Sequence, residues 1–251
     1  MLERRSHGLS DRGLKRAANE DCIFHDDLLG LYLVADGMGG HAGGALASRV
    51  AVETVVEFWR LTAGDREITW PLPKQTGLSH RQNQLFVGYH LANSAIVAQA
   101  ERRGLQGMGT TIVALALDPT TAVIAHLGDS RVYRVRDRRI EVLTEDHSLL
   151  NDERKRRMMT QAELDEFPDK SVITRALGVE EHLDIPFREE PWLPGDRYLL
   201  CSDGLTNQVD AEVLLRMMLE GETPASITES LVLAANAGGG DDNVSAIVVF
   251  C

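Results

Sequence analysis

The 251 residues, 43% hydrophobic and 25% charged, suit one domain with a sizeable apolar core and exclude a disordered or fibrous chain. A formal net charge of −12 argues against nucleic-acid binding, because a phosphate backbone would be repelled, and suits carboxylates that await cations. Three scattered cysteines, Cys22, Cys201 and Cys251, supply neither a disulfide framework nor a thiolate zinc site, and no run approaches the roughly 18 apolar residues of a spanning helix, so a cytoplasmic protein without membrane association is expected.

In chain order, LYLVA (31–35) is the first rich strand signal. In GGALASRVAVETVVEFWR, Val52, Val55, Val56 and Trp59 recur at i, i+3, i+4 and i+7, the spacing of a helix with one buried face. The proline- and glycine-bearing stretch 61–82 reads as a long loop or helical insertion. Leu85, Tyr89, Ala92 and Ile96 mark a second amphipathic helix, which Gly104 stops. TTIVALAL (110–117) and AVIAHLG (122–128) are strands, and the charged segment 147–170, with DERKRR at 152–157 and a capping-box start at Thr160 and Glu163, reads as a small mobile lobe. RYLLC (197–201) is a strand, Asp210 caps AEVLLRMMLE ahead of Gly221, and Thr223-Pro224 opens a helix reaching the glycines at 238–240. VSAIVVF (244–250) is the last strand. Strands dispersed around long helices imply layered α and β structure, with sheets covered by helices, and leave the topology open.

Three strands run straight into an aspartate: VADGMGGH into Asp36, HLGDSR into Asp129 and LLCSDGL into Asp203. A fourth acidic site, GGGDDNVS with Asp241 and Asp242, precedes the last strand. One Asp-Gly after a strand is ordinarily a turn. Several carboxylates converging on one sheet edge would repel unless cations lay between them. Hard oxygen donors without His or Cys spacing select Mg²⁺ or Mn²⁺ over zinc. Two ions sharing a carboxylate can acidify a bridging water, the nucleophile of a hydrolase. The glycines around Asp36 make the Gly37 carbonyl an additional ligand candidate. SDRGLKRAANED offers Arg12 and Arg16 as guanidinium partners for a phosphate.

Taken in order, SDRGLKRAANED, VADGMGGHAGG, GMGTT, HLGDSRVY, DHS, ITRALG, LLCSDGL and GGDDNVS resemble the metal-dependent Ser/Thr protein phosphatases of the PPM family, also called protein phosphatase 2C, in their bacterial form. The resemblance implies an α-β-β-α sandwich: two central antiparallel sheets flanked by helix pairs, with a dinuclear metal centre at one edge. It implies a single domain over 1–251, with the lobe at about 147–170 as a flap that contacts protein substrates. Asp36 would bridge two core Mn²⁺ or Mg²⁺ ions, assisted by the Gly37 carbonyl. Asp203 and Asp242 would ligate one of them, Glu20 and Asp21 would hold waters of the cluster, and Asp129 would join Asp203 at a third, looser ion. Arg16 would grip the substrate phosphate. The implied reaction is direct attack of a metal-bridging water on phosphoserine or phosphothreonine, without a phosphoenzyme, and the implied partners are phosphoproteins, among them a Ser/Thr kinase and its targets.

Two positions depart from the family pattern. Ala45 stands where bacterial members usually have Glu, and Met38 stands where animal members place a histidine proposed as general acid. His41 is the nearest candidate for that proton, and a histidine beside a glycine turn serves equally as a structural donor. Thr110 and Thr111 are expected to support the floor of the site, and Asn243 to be a turn amide bonded to backbone. A non-catalytic scaffold of this fold should have lost metal ligands, and none is missing. A phosphohydrolase of another class is disfavoured because the paired-aspartate dehalogenase motif and the P-loop are both absent.

Overall fold

A computed structural model describes residues 4–40, 42–64, 68–157, 159, 163, 167, 172–180 and 182–251. One antiparallel sheet contains β1 (Arg5–Asp11), β11 (Val244–Phe250), β10 (Arg197–Cys201), β7 (Arg131–Arg136) and β8 (Arg139–Val142), in that spatial order. The other runs β2 (Asp21–Asp26), β3 (Leu31–Met38), β5 (Ile112–Leu117), β6 (Thr121–Leu127) and β9 (Phe187–Pro191), with the short β4 (Gly109–Thr110) paired to the end of β3.

Period-two alternation divides the strands between cores. In β3, Leu31, Leu33 and Ala35 pack with Trp59 of α1 (Ala42–Gly64) and Leu85 of α2 (His80–Arg103), whereas Tyr32 and Val34 face the other sheet. In β11, Val244, Ala246 and Val248 pack with Leu214 of α5 (Ala211–Glu220) and Leu231 of α6 (Pro224–Gly238), whereas Ile247 and Val249 meet Tyr32 and Val34 between the sheets. The result is the expected α-β-β-α sandwich. Two further helices are short: α3 (Leu149–Arg156), capped by Ser148, and α4 (Asp203–Thr206).

Several boundaries differ from the sequence expectations. Helix α1 continues through Gly64 and α2 begins at His80, where Ser79 and Gln82 form a capping box, so the irregular part of 61–82 is shorter than its composition suggested. Asp210 occupies the cap of α5 with extended backbone but makes no side-chain capping bond. Thr223 does cap α6, reciprocally with Ser226, and Gly104 ends α2 in the left-handed conformation at φ 66°. Thr160, half of the expected capping box in the lobe, lies outside the described residues. Among the described residues no helix is long and apolar enough to cross a membrane.

Candidate metal centre

Strand register brings the acidic residues together. The β2–β3 pairing sets Asp21 directly opposite Asp36. Gly128, at φ 103°, turns the chain out of β6 to Asp129, β10 delivers Asp203 into the first turn of α4, and Asp242 stands two residues before β11. Asp36, Asp129, Asp203 and Asp242 line one cavity of about 390 Å³, together with Arg16, Glu20 and Gly37. Asp21 is not part of that lining and lies behind it, against Asp36.

The backbone around Asp36 is tightly held. Its carbonyl accepts from Thr110 Oγ1 at 2.8 Å and Thr111 N–H at 2.9 Å, and its N–H donates to Thr111 Oγ1 at 3.2 Å, so both threonines support the floor of the site as expected. A Cβ at Gly37 would lie 2.2 Å from the Gly44 carbonyl oxygen and 2.6 Å from that of Glu20, which leaves glycine as the residue that fits. Asn243 accepts from Glu20 N–H at 2.8 Å and donates to the carbonyls of Arg12 and Ala18 at 2.9 Å each. That turn amide folds the loop carrying Arg16 and Glu20 over the last strand. Arg16 donates to Asp242 Oδ2 at 2.6 Å, whereas Arg12 reaches only the Ala17 carbonyl of its own loop at 3.4 Å; of the two arginines, Arg16 borders the cavity.

The carboxylates are poorly compensated. Burial, followed by the charges of Asp21 and Asp203, raises Asp36 well above the ordinary carboxylate range. Burial raises Asp21 to about 6 against the opposing hydrogen bonds of Ser245 and Ser202, and it raises Asp129 to about 7 with help from Asp203 and Asp146. Asp203 is raised by burial and by Asp242. Asp21, Asp129 and Asp203 each have a buried Oδ1 with no hydrogen-bond partner. Among the described residues no group of three or more His, Cys, Asp or Glu side chains already forms a metal cage, and Asp242 is engaged by Arg16. The orphaned oxygens and raised carboxylates nevertheless fit divalent cations: an unpaired buried carboxylate is costly, and an all-oxygen donor set suits Mn²⁺ or Mg²⁺.

Residues 15–233 match the profile of the protein phosphatase 2C family. The chain belongs to that family. This phosphatase 2C member is 34% identical over 249 residues to the serine/threonine phosphatase stp of Listeria monocytogenes, across 96% of this chain and 93% of the relative. The crystal structure of the Mycobacterium tuberculosis serine/threonine phosphatase PstP/Ppp matches it with a TM-score of 0.85 at 33% identity, over 99% of each chain. The catalytic domain of PstP in complex with two manganese ions matches with a TM-score of 0.82 at 33% identity, over 98% of this chain and 97% of that one.

His41 lies outside the described residues. Sequence reading missed two kinds of residue. Ile173, which lines the cavity, opens ITRALG just beyond the charged lobe, and as an apolar residue it gave no sign of a place at the site. Ser202 and Ser245, which hold the Asp21 carboxylate, sit inside LLCSDGL and NVSA, where a serine ordinarily reads as turn or strand filler.

Proposed function

We propose that this phosphatase 2C member hydrolyses phosphoserine and phosphothreonine in bacterial proteins at the acidic cavity, using Mn²⁺ or Mg²⁺. The observation that carries the reading is the row of buried, unpartnered carboxylates along a cavity bordered by one arginine. Asp36, the Gly37 carbonyl, Asp203 and Asp242 would hold two core ions, Glu20 and Asp21 their waters, and Asp129 with Asp203 a third ion. When bound, such ions acidify a water for direct attack and neutralise charge on the phosphoryl oxygens.

The chain's own residues do the rest. Thr110 and Thr111 fix the Asp36 backbone, so that its carboxylate is preorganised. Arg16, more than half exposed at the rim, binds the substrate phosphate through its forked donors. His41 follows Gly39 and Gly40, which line the cavity, and is the candidate proton donor to the leaving hydroxyl.

The whole chain acts as one catalytic domain, with the lobe at 147–170 as a substrate-contacting flap. In support, Leu149 N–H donates to the Val172 carbonyl and Ser148 bridges Ile173, which ties the lobe to a residue of the cavity wall. The substrates in this reading are a Ser/Thr kinase and its targets in the cytoplasm, where the three free cysteines would stay reduced. The test is hydrolysis of a phosphothreonine peptide: EDTA abolishes it, Mn²⁺ restores it, and nucleotides are poor substrates. Full activity in verified metal-free protein would refute the reading.

A further inference from the structure

Asp21 belongs to the six-stranded sheet, yet its carboxylate is gripped from the five-stranded one. Its Oδ2 accepts from Ser202 Oγ at 2.9 Å, just beyond β10, and from Ser245 Oγ at 2.6 Å, in β11. Both serines are fully buried. Each hydroxyl has a single proton to give. Ser202 spends its proton on Asp21 while its oxygen accepts from Ser245 N–H at 3.0 Å. Ser245 also commits its proton to Asp21, the shorter of its two contacts. The 2.8 Å contact between Ser245 Oγ and Ser10 Oγ, opposite it in β1, joins Ser10 to the same hydroxyl.

Ser10 Oγ in turn accepts from Asn19 Nδ2 at 2.8 Å, and Asn19 Oδ1 accepts from Asp21 N–H at 3.1 Å. The circuit begins and ends on Asp21, through an amide, two hydroxyls and the carboxylate. Oδ2 thereby receives two donors, and Oδ1 stays buried with none.

Placing two serine hydroxyls on one oxygen of a buried carboxylate, beside Asp36 and Asp203, leaves the other oxygen free for a cation or its water. We propose that Asn19, Ser10, Ser245 and Ser202 are positioning residues for the metal centre that act through Asp21, setting which of its oxygens serves the ions. This rests on the metal-dependent reading of the site. The circuit also couples the centre to the packing of one sheet on the other, since Ser10, Ser202 and Ser245 move with the five-stranded sheet and Asp21 and Asp36 with its neighbour.

The experiment is Mn²⁺ titration calorimetry of the full chain, with Ser245→Ala and Ser202→Ala measured alone and in an Asp21→Asn background. Loss of an outer-shell partner commonly weakens metal affinity about 10- to 100-fold. Each serine variant is expected to lose about tenfold in Mn²⁺ affinity, and that loss is expected to vanish, to within about twofold, once Asp21 is already an amide. Thr62→Val, which removes a buried hydroxyl in α1 far from the site, controls for general destabilisation and keeps parental affinity. Should Ser245→Ala fail to fold, Ser10→Ala, one bond further out, shows a smaller loss in the same direction. Parental affinity in the serine variants, or an undiminished loss in the Asp21→Asn background, would overturn the positioning role. No Mn²⁺ binding by the parent would instead refute the metal-dependent reading.

Discussion

Two charged regions join the same pair of sheets and are compensated in opposite ways. On the β8–β9 side, Arg134 of β7 pairs with Glu141 of β8 and Glu190 of β9, and Arg188 closes the square with 2.8 Å contacts to both glutamates. Arg136 takes the buried Asp196 through two bonds of 2.7 and 2.5 Å. Glu141, Glu190 and Asp196 each have a guanidinium, and the bond from Arg188 holds Glu141 below its ordinary pKa. At the metal edge, Asp36, Asp21, Asp129 and Asp203 are all raised, three of their oxygens have no partner, and the nearby cation, Arg16, engages Asp242. The first cluster is complete within the chain and serves architecture. The second is left short of positive charge, which marks it as the place where cations and a phosphate belong.

The sharpest way to break that contrast is Asp36→Asn. The amide keeps the shape but loses the charge that, in the proposed reading, would hold the ions, so turnover of a phosphothreonine peptide at saturating Mn²⁺ should fall by about two to three orders of magnitude or more. The melting temperature of the metal-free protein should hold or rise, since one buried charge leaves a repulsive set. Near-parental turnover would make Asp36 a turn residue.

Arg16→Ala should cost less, about 10- to 100-fold in kcat/KM, the scale of one or two charge-assisted hydrogen bonds. Calorimetry should show Mn²⁺ affinity close to parental, because Arg16 contributes no ligand. Unchanged kcat/KM would return it to the surface.

The smallest effect is expected in the compensated cluster. Glu141 is 46% exposed, so Glu141→Gln should shift stability in urea by about 1 kcal/mol or less and leave kcat unchanged. A larger loss would mean that the arginine square carries more of the fold than its exposure implies.

Most of the fold and of the metal edge was legible because both rest on local patterns. The alternation in LYLVA and VSAIVVF, the i, i+3, i+4, i+7 stripe from Val52 to Trp59, and aspartates placed where strands end are all short-range signals. Strand β1, RSHGLSD, was not legible: it is half-exposed with little apolar content, and its pairing with β11 is what makes it a strand. Strands β7 and β9 were hidden similarly, since RVYRVR and FREEP owe their charges to cross-sheet partners that lie 56 positions apart in the case of Arg134 and Glu190. The serine circuit escaped for the same reason, because Ser10, Ser202 and Ser245 acquire their roles only when two sheets meet. Arg16 could be chosen over Arg12 on geometry only after the loop was folded by Asn243.

The central claim, that the acidic edge is under-compensated until cations arrive, is tested most directly by the melting temperature of metal-stripped protein against pH, with and without Mn²⁺. An acid whose pKa is raised on folding binds protons more tightly in the native state, so its contribution to stability is lost as pH rises through the raised value. The buried His126 and His147 act oppositely, both lowered by burial and His147 to about 4, but their effect is complete by about pH 6.5. Between about pH 6.5 and about pH 8, Asp129, raised to about 7, dominates, and Asp36, raised by burial and by its acidic neighbours, acts in the same direction. The expected result is a melting temperature that falls across that interval without metal and is restored by Mn²⁺. A metal-free melting temperature that stays level or rises from about pH 6.5 to about pH 8, and does not respond to Mn²⁺, would contradict the account.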